Sequence, residues 1–460
     1  MPTIKIDARD NVVVDVSTGM KYAECGIRSG ETVIKYGSPI GVATEDIDAG
    51  ALVHTHNLAS VPSRGGSVAF RPYPLPDVRA GGTFSGYRRA SGTGIRNDVF
   101  IVPAVGCVNG LCERLAARTG AIALTHPFGC SQLHEDLDNT RRILRGLILN
   151  PNAAGVLVVS LGCENNTPES FRAFLDEWGY ERDRVRFMTA QDVPDETETG
   201  LSHIAGLQMR AKQDRREACD LSGLTVGLKC GGSDGLSGIT ANPLVGDVAD
   251  RIIACGGRVV LTEIPEAFGA EDELLSRCAD RETFDRLNDV FDGFRKYYAD
   301  HGERTDENPS PGNKAGGITT LAEKSLGCIR KGGHAPVTDV LGYGDRVRRA
   351  GLTVLNGPGN DLVATTALAA AGCQLVLFTT GRGTPLGGAV PVVKISSNTA
   401  LAERKPGWID FDAGRILREP RAAAADALFG LILDVASGRP TKSERNGCRE
   451  IAVWKTGVTL

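Results

Sequence analysis

Six short apolar runs between residues 99 and 380 each break straight into a loop of Gly, Asn or Cys. Val99–Val105 precedes Gly106-Cys107-Val108-Asn109-Gly110, and Ala121–Leu124 precedes Thr125-His126-Pro127-Phe128-Gly129-Cys130. Val156–Leu161 precedes Gly162-Cys163-Glu164-Asn165-Asn166, and Thr225–Leu228 precedes Lys229-Cys230-Gly231-Gly232-Ser233-Asp234. Leu352–Leu355 precedes Asn356-Gly357-Pro358-Gly359-Asn360, and Gln374–Thr379 precedes Thr380-Gly381-Arg382-Gly383-Thr384-Pro385. A strand that is apolar throughout must be covered on both faces, and helical patterns such as Leu137–Leu149 supply the cover. The expected class is α/β with mainly parallel sheets, whose ligands bind outside the carboxyl ends of the strands, where these loops stand.

The first 70 residues differ. Val12–Val16, Glu31–Tyr36 and Ile40–Thr44 are β-branched or extended runs punctuated by Gly37-Ser38-Pro39, which indicates a small β domain. Residues 71–94, rich in Pro, Gly and Arg, are expected as a linker. Two α/β domains follow, 95–225 and 226–460. The second carries a charged helical insertion near 265–320, an insertion or dimer element with Phe284, Leu287, Phe291 and Phe294 on one face.

Composition removes whole classes of function. Gly makes up 57 of 460 residues, about 12% against a usual level of roughly 7%, yet no three-residue period accompanies it. With 41% hydrophobic residues the chain is no disordered Gly-rich segment, so the surplus belongs to tight turns and close backbone approaches. Its 52 basic and 56 acidic residues leave a net charge of −4, and aromatics are 5%; neither favours nucleic acid or an anionic membrane. No apolar run approaches the roughly 20 residues of a membrane span. Charges in Met1-Pro2-Thr3-Ile4-Lys5-Ile6-Asp7 stand where a secretion signal is apolar, so a cytoplasmic location is expected. There the 12 cysteines are thiols or metal ligands rather than disulfides, and no Cys-x-x-Cys pair suggests zinc.

The loops carry the candidate chemistry. Cys107, Cys130, Cys163 and Cys230 each stand just past a strand, and three such thiolates converging on one point would hold iron, alone or as an iron–sulfur cluster. His54 and His56 form a competing set, since on a strand over 52–56 both imidazoles would leave one face. His126 lies in a strand-end loop, and His134 opens the next helix. Phosphate motifs fail: no Gly-x4-Gly-Lys-[Ser/Thr] occurs, and Gly381-Arg382-Gly383 precedes a strand (Pro391–Ile395) where a dinucleotide motif needs a helix. Asn165, Asn166, Asp234, Asn313, Lys314, Asn360, Asp361, Arg382 and Thr384 suit a small polyhydroxylated anion, with cations on its carboxylate and amides on its hydroxyls.

Taken together the loops resemble those of the altronate/galactarate dehydratase family of sugar-acid dehydratases. The resemblance rests on Gly94-Ile95-Arg96-Asn97 with Cys107, Leu124–Leu133, Leu161–Asn166, Lys229–Asp234, Ser237–Pro243, Asn308–Lys314 and Phe378–Pro385, and covers essentially the whole chain. The first 60 residues, ending His54-Thr55-His56-Asn57-Leu58, resemble the β-clip (SAF) domain that accompanies the family. The resemblance implies elimination of water from an aldonic or aldaric acid to a 2-keto-3-deoxy acid, with Fe²⁺ as cofactor. Mn²⁺ and a three-thiolate cluster are the alternatives. It implies iron on Cys107, Cys130 and Cys163, or on His54 and His56. Lys229, His126 or His134 is then the base or acid, and Arg382 and Lys314 hold the carboxylate. Asn165, Asn166, Asp234, Asn313, Asn360 and Thr384 contact the rest of the substrate. A homodimer or higher homo-oligomer is expected. The rival readings are a lyase releasing sulfite from a sulfonated hydroxy acid, and a non-catalytic sugar-acid-binding protein.

Overall fold

Seven parallel strands organise the carboxyl-terminal half of the chain. In the computed structural model, which describes residues 2–60, 68–79 and 81–460, they run in the order Val337–Leu341, Gly351–Leu355, Arg258–Leu261, Thr225–Cys230, Leu375–Thr380, Val392–Ser396, Phe411–Asp412. Every neighbouring pair is parallel. The chain enters at the middle strand, Thr225–Cys230, builds outward on one side, and returns to the other side through Leu375–Thr380. The crevice between the carboxyl ends of those two strands is therefore the switch point where ligands bind in sheets of this kind. A second parallel sheet runs Ile122–Ala123, Asp98–Pro103, Ala153–Ser160, Val185–Thr189.

All six expected runs are strands of these sheets. Four further strands, Val185–Thr189, Arg258–Leu261, Val337–Leu341 and Phe411–Asp412, lie outside the expected set. Each is short or carries a charge, such as Arg186, Arg258 or Asp339, that breaks the apolar run. The two sheets share one apolar core, in which helix His134–Ile148 packs on helix Asp361–Ala370. Gly146 permits that approach, because a Cβ there would come within 2.3 Å of the Ala370 carbonyl oxygen.

Residues 61–67, at the end of the expected β domain, and residue 80 of the expected linker lie outside the described residues. Thr83–Arg89 and Gly92–Gly94, also within that linker, form a hairpin completed by Glu217–Asp220. The expected insertion contains helix Arg281–Asp300, capped by Asp280, whose side chain accepts from the Thr283 N–H. Its apolar face is buried within the chain itself: Phe294 stacks on Trp454 and Phe291 packs near Phe268.

The β domain consists of two small antiparallel sheets and is locked to the larger half by one carboxylate. Glu323, on helix Leu321–Ile329, is buried between Lys35 (2.8 Å) and Lys21 (2.9 Å). Thr319 donates to it from both N–H and hydroxyl. The backbones touch beside this clamp, where a Cβ on Gly235 would come within 1.9 Å of the Gly19 carbonyl oxygen. Replacing Glu323 by Ala leaves two buried ammonium groups without a counter-charge. Urea unfolding is expected to show a loss of about 3–5 kcal/mol; an unchanged midpoint would refute the clamp.

Candidate active site

The middle strand delivers Lys229 and Cys230 to the switch point. Lys229 is fully buried, and its Nζ donates to Glu263 Oε1 (2.6 Å), Asp361 Oδ1 (2.7 Å) and the Cys230 carbonyl. Burial opposes the ammonium charge, but Glu263 and Asp361 more than offset it and hold its pKa above the ordinary lysine value. Glu263 follows strand Arg258–Leu261 with φ +73°, a left-handed conformation uncommon for a non-glycine residue and characteristic of functional sites. Burial, with Cys230 and Glu266 adding to it and Lys229 opposing, lifts its carboxyl to about 8. Its Oε2 is buried without a partner. A carboxyl that titrates near neutrality and keeps one free oxygen is suited to moving protons.

A thiol pair lies behind it. Cys230 Sγ is 3.5 Å from Cys328 Sγ, and Lys331 Nζ donates to both, at 3.1 and 2.8 Å. The hydrogen bond from Cys328, helped by the Lys331 ammonium, overcomes burial and holds Cys230 well below the ordinary thiol value, while Cys328 is pushed up. Glu266 is kept ionised because Lys324, at 2.9 Å, outweighs its burial. Three ammonium groups (Lys229, Lys324, Lys331) thus face three anions (Asp361, Glu266 and the Cys230 thiolate), and Glu263 is protonated below about 8.

A cleft of about 1000 Å³ opens over this cluster. Its wall includes Cys230, Glu263, Glu266, Asn308, Lys324 and Asp361. Gly231 is required at its floor, since a Cβ there would come within 2.5 Å of the Asp361 carboxylate. A second cleft of about 700 Å³, lined by His134 and Asn356, shares Phe294 and Tyr297 with the first.

The expected site residues separate into groups. Asn313 and Asn360 line the large cleft but also cap helices: Asn313 Oδ1 accepts from Ser310, and Asn360 Oδ1 from the Val363 N–H. Asp234 accepts from Ser237, Ser397 and Asn398, which ties loops together. Arg382 donates to the Gly312 carbonyl, Thr384 accepts from the Leu386 N–H, and the Lys314 carbonyl faces His54 Nε2 at 2.9 Å. His54 and His56 are not on a strand. Asn57 accepts from the His54 N–H and donates to the Leu52 carbonyl, closing a turn over residues that were expected to be extended. The two imidazoles therefore lack the shared strand face that made them a ligand pair.

Cys107, Cys130 and Cys163 are exposed, just past three adjacent strands of the four-stranded sheet. Their loops are knitted together. Gly106 N–H donates to the Phe128 carbonyl, Asn166 N–H to the Gly129 carbonyl, Ser131 N–H to Asn165 Oδ1, and Asn166 Nδ2 to the Ala104 carbonyl. His126 serves that knot. Nδ1 accepts from the Phe128 N–H, Nε2 donates to the Pro103 carbonyl, and burial pushes its pKa down to about 4, so both nitrogens are committed and the ring is neutral. That engagement departs from the expectation of a proton-transferring imidazole.

Two donor sets come into question for a metal. Among the described residues, the group whose ligand atoms lie within 4.8 Å of one another is Cys230, Glu266 and Cys328. Lys331 already holds the cation position between those sulfurs, and the cluster is charge-balanced, so a divalent ion added there would leave two buried positive charges uncompensated. The three exposed thiols are more widely spaced. A single ion about 2.3 Å from each sulfur needs them closer, whereas cluster thiolates bind different iron atoms and escape that requirement.

Glu263, Glu266, Lys324, Cys328 and Lys331 escaped sequence reading. A signal existed: Thr262-Glu263-Ile264-Pro265-Glu266 directly follows the apolar run Val259-Val260-Leu261, in the pattern of the six other loops.

Three family models match in order. Residues 2–61 match the altronate/galactarate dehydratase SAF domain, 86–212 the D-galactarate dehydratase/altronate hydrolase second domain, and 221–459 the D-galactarate/altronate dehydratase C-terminal domain. The chain is 46% identical to the altronate dehydratase of Escherichia coli K12 over the full length of both. It is also 46% identical to that of Bacillus subtilis 168, covering 99% of this chain and 94% of the relative. It is 34% identical to the L-threo-forming galactarate dehydratase of Escherichia coli K12, over 93% of this chain and 87% of that one. The chain belongs to the altronate/galactarate dehydratase family.

The thiol pair can be tested directly. Ultraviolet difference spectra of wild type against Cys230→Ser are expected to show a thiolate at pH 7 that disappears in Lys331→Met. Identical spectra for all three proteins would refute the ion pair.

Proposed function

We propose that this member of the altronate/galactarate dehydratase family removes water from a six-carbon aldonic acid of the D-altronate type, giving a 2-keto-3-deoxy acid. Glu263 carries the reading, as a strained, buried carboxyl near neutrality on the lining of the cleft, with one oxygen that has no hydrogen-bond partner. The hydrogen α to a carboxylate is weakly acidic, so its removal needs a well-placed base and cations around the negative charge that develops. In the proposal the ionised Glu263 takes the C2 proton through Oε2, and the electron pair left behind expels the C3 hydroxyl. The proton on Glu263 completes the departing water, and the resulting enol ketonises. Lys229 is a positioning residue, holding Oε1 at 2.6 Å and leaving Oε2 as the oxygen without a partner. Lys324, whose Nζ spans Glu266 and Asn308, offers its remaining N–H to the substrate carboxylate.

An aldonate suits the cleft better than an aldarate. Besides the carboxyls paired with Lys229 and Lys324, Glu303 and Glu307 line the same cleft, and their charge would repel a second carboxylate. The two full-length relatives named altronate dehydratase point the same way. In the proposal Cys107, Cys130 and Cys163 would hold iron as a cluster, supported by their exposure, their places past neighbouring strands and the absence there, among the described residues, of an ammonium like that occupying the Cys230–Cys328 pair. Iron held by those thiols would supply Lewis acidity.

Incubated anaerobically with iron, the protein is expected to turn over D-altronate faster than galactarate. Sulfite release from sulfolactate, or binding of sugar acids without turnover, would contradict the reading. The wild-type kcat/KM should rise with pH through about 8, as the base loses its proton. Glu263→Gln should lose that rise and about 10²–10⁴ in kcat; an unchanged profile would remove Glu263 from the mechanism. Iron content is expected to fall in Cys130→Ser and to persist in Cys328→Ser, and the reverse result would move the metal to the buried pair.

A further inference from the structure

At the amino-terminal end of the four-stranded sheet, opposite the thiol loops, a cavity of about 470 Å³ reaches the first residues of strands Ala153–Ser160 and Val185–Thr189. Leu149, Val156, Val185 and Tyr180 give it an apolar side, and four arginines line the rest. Two of these are neutralised within the fold. Arg184 pairs with Glu181 (2.6 Å) and Asp214 (2.8 Å), and Arg89 with Asp214 (3.3 Å). The other two, Arg346 and Arg348, have no carboxylate within ion-pair distance among the described residues.

A third unpaired guanidinium lies beside them. Arg145 is buried, its Nε has no hydrogen-bond partner, and its Nη2 meets the Gly344 carbonyl at 3.3 Å. Arg145 and Arg348 both lie over the Trp178 ring, at 4.0 and 5.0 Å from its centroid, and Arg346 donates to the Gly146 carbonyl at 3.4 Å. Nearby carboxylates do not quench the group. Asp345 pairs with Arg142 at 3.5 Å, and Glu177 acts on Arg145 only from beyond ion-pair distance. Burial, with Arg145 and Arg348 adding to it, pushes Arg346 down to about 10. Contacts with Trp178 and Phe174 offset part of the repulsion, but aromatic faces do not replace a counter-anion.

We infer that this cavity binds a small organic oxyanion, a phosphate ester or polycarboxylate, whose charged end is held by Arg346 and Arg348 and whose carbon part lies on the apolar side. Planar guanidinium forks suit either group, and the volume falls in the range of small-molecule sites. The inference is independent of the active-site reading, because it concerns the opposite end of the sheet and needs no turnover.

Calorimetric titration of the full chain with glycerol 3-phosphate and, separately, tricarballylate tests it and tells the two oxyanions apart. At least one is expected to bind saturably with Kd of about 1 mM or tighter. Arg348→Gln, at an exposed position, should weaken binding at least about tenfold, the worth of one charge-assisted hydrogen bond. Arg346→Lys, which keeps the charge and loses the fork, should weaken it too. Dehydration of the sugar acid without the probe should be unchanged in Arg348→Gln. No saturable binding in either arm, or equal affinity in wild type and both variants, would overturn the inference.

Discussion

A fully buried ammonium on the middle strand of a parallel sheet must be matched by anions from the same fold, and at Lys229 that requirement gathers the site. Its charge draws in Glu263 from the end of the adjacent strand and Asp361 from the start of a helix on the other side. Asp361 balances Lys229, while Glu266 and the Cys230 thiolate are matched by Lys324 and Lys331. The result is a neutral cluster in which one member, Glu263, is left able to exchange its proton in the neutral range. In the proposed reaction the reactivity of Glu263 comes from how charge is shared among buried groups rather than from any one residue type.

The same helix links this cluster to the β domain. Leu321–Ile329 carries Glu323, which clamps Lys21 and Lys35, and also Lys324 and Cys328, which belong to the site. Glu323 and Lys324 are sequence neighbours, so docking of the small domain and placement of Lys324 depend on one helical turn.

The sheets were legible because buried parallel strands must be apolar along their whole length. Thr225–Leu228 was visible for that reason, whereas the strand's last two residues, Lys229 and Cys230, look like loop residues until their buried partners are known. Glu263 could not be weighted from sequence, since its raised pKa comes first from burial, with Cys230 and Glu266 adding to it, and that burial exists only in the fold. The expected strand over 52–56 gives way to a turn through one neighbour, Asn57, whose amide closes it. The hairpin at 83–94 was read as linker because its third strand, Glu217–Asp220, lies more than a hundred residues away.

The surplus glycines acquire specific places, at Gly231 against Asp361 and at Gly235 against Gly19, where any side chain would collide. In the proposed complex a sugar acid lies in the cleft above Lys229 with its C2 hydrogen toward Glu263. An anaerobic crystal structure of Glu263→Gln with D-altronate bound measures this most directly. The account predicts C2 within about 3–4 Å of the side chain at position 263 and the carboxylate beside Lys324. A sugar acid bound only at another surface, with C2 far from that side chain, would contradict it.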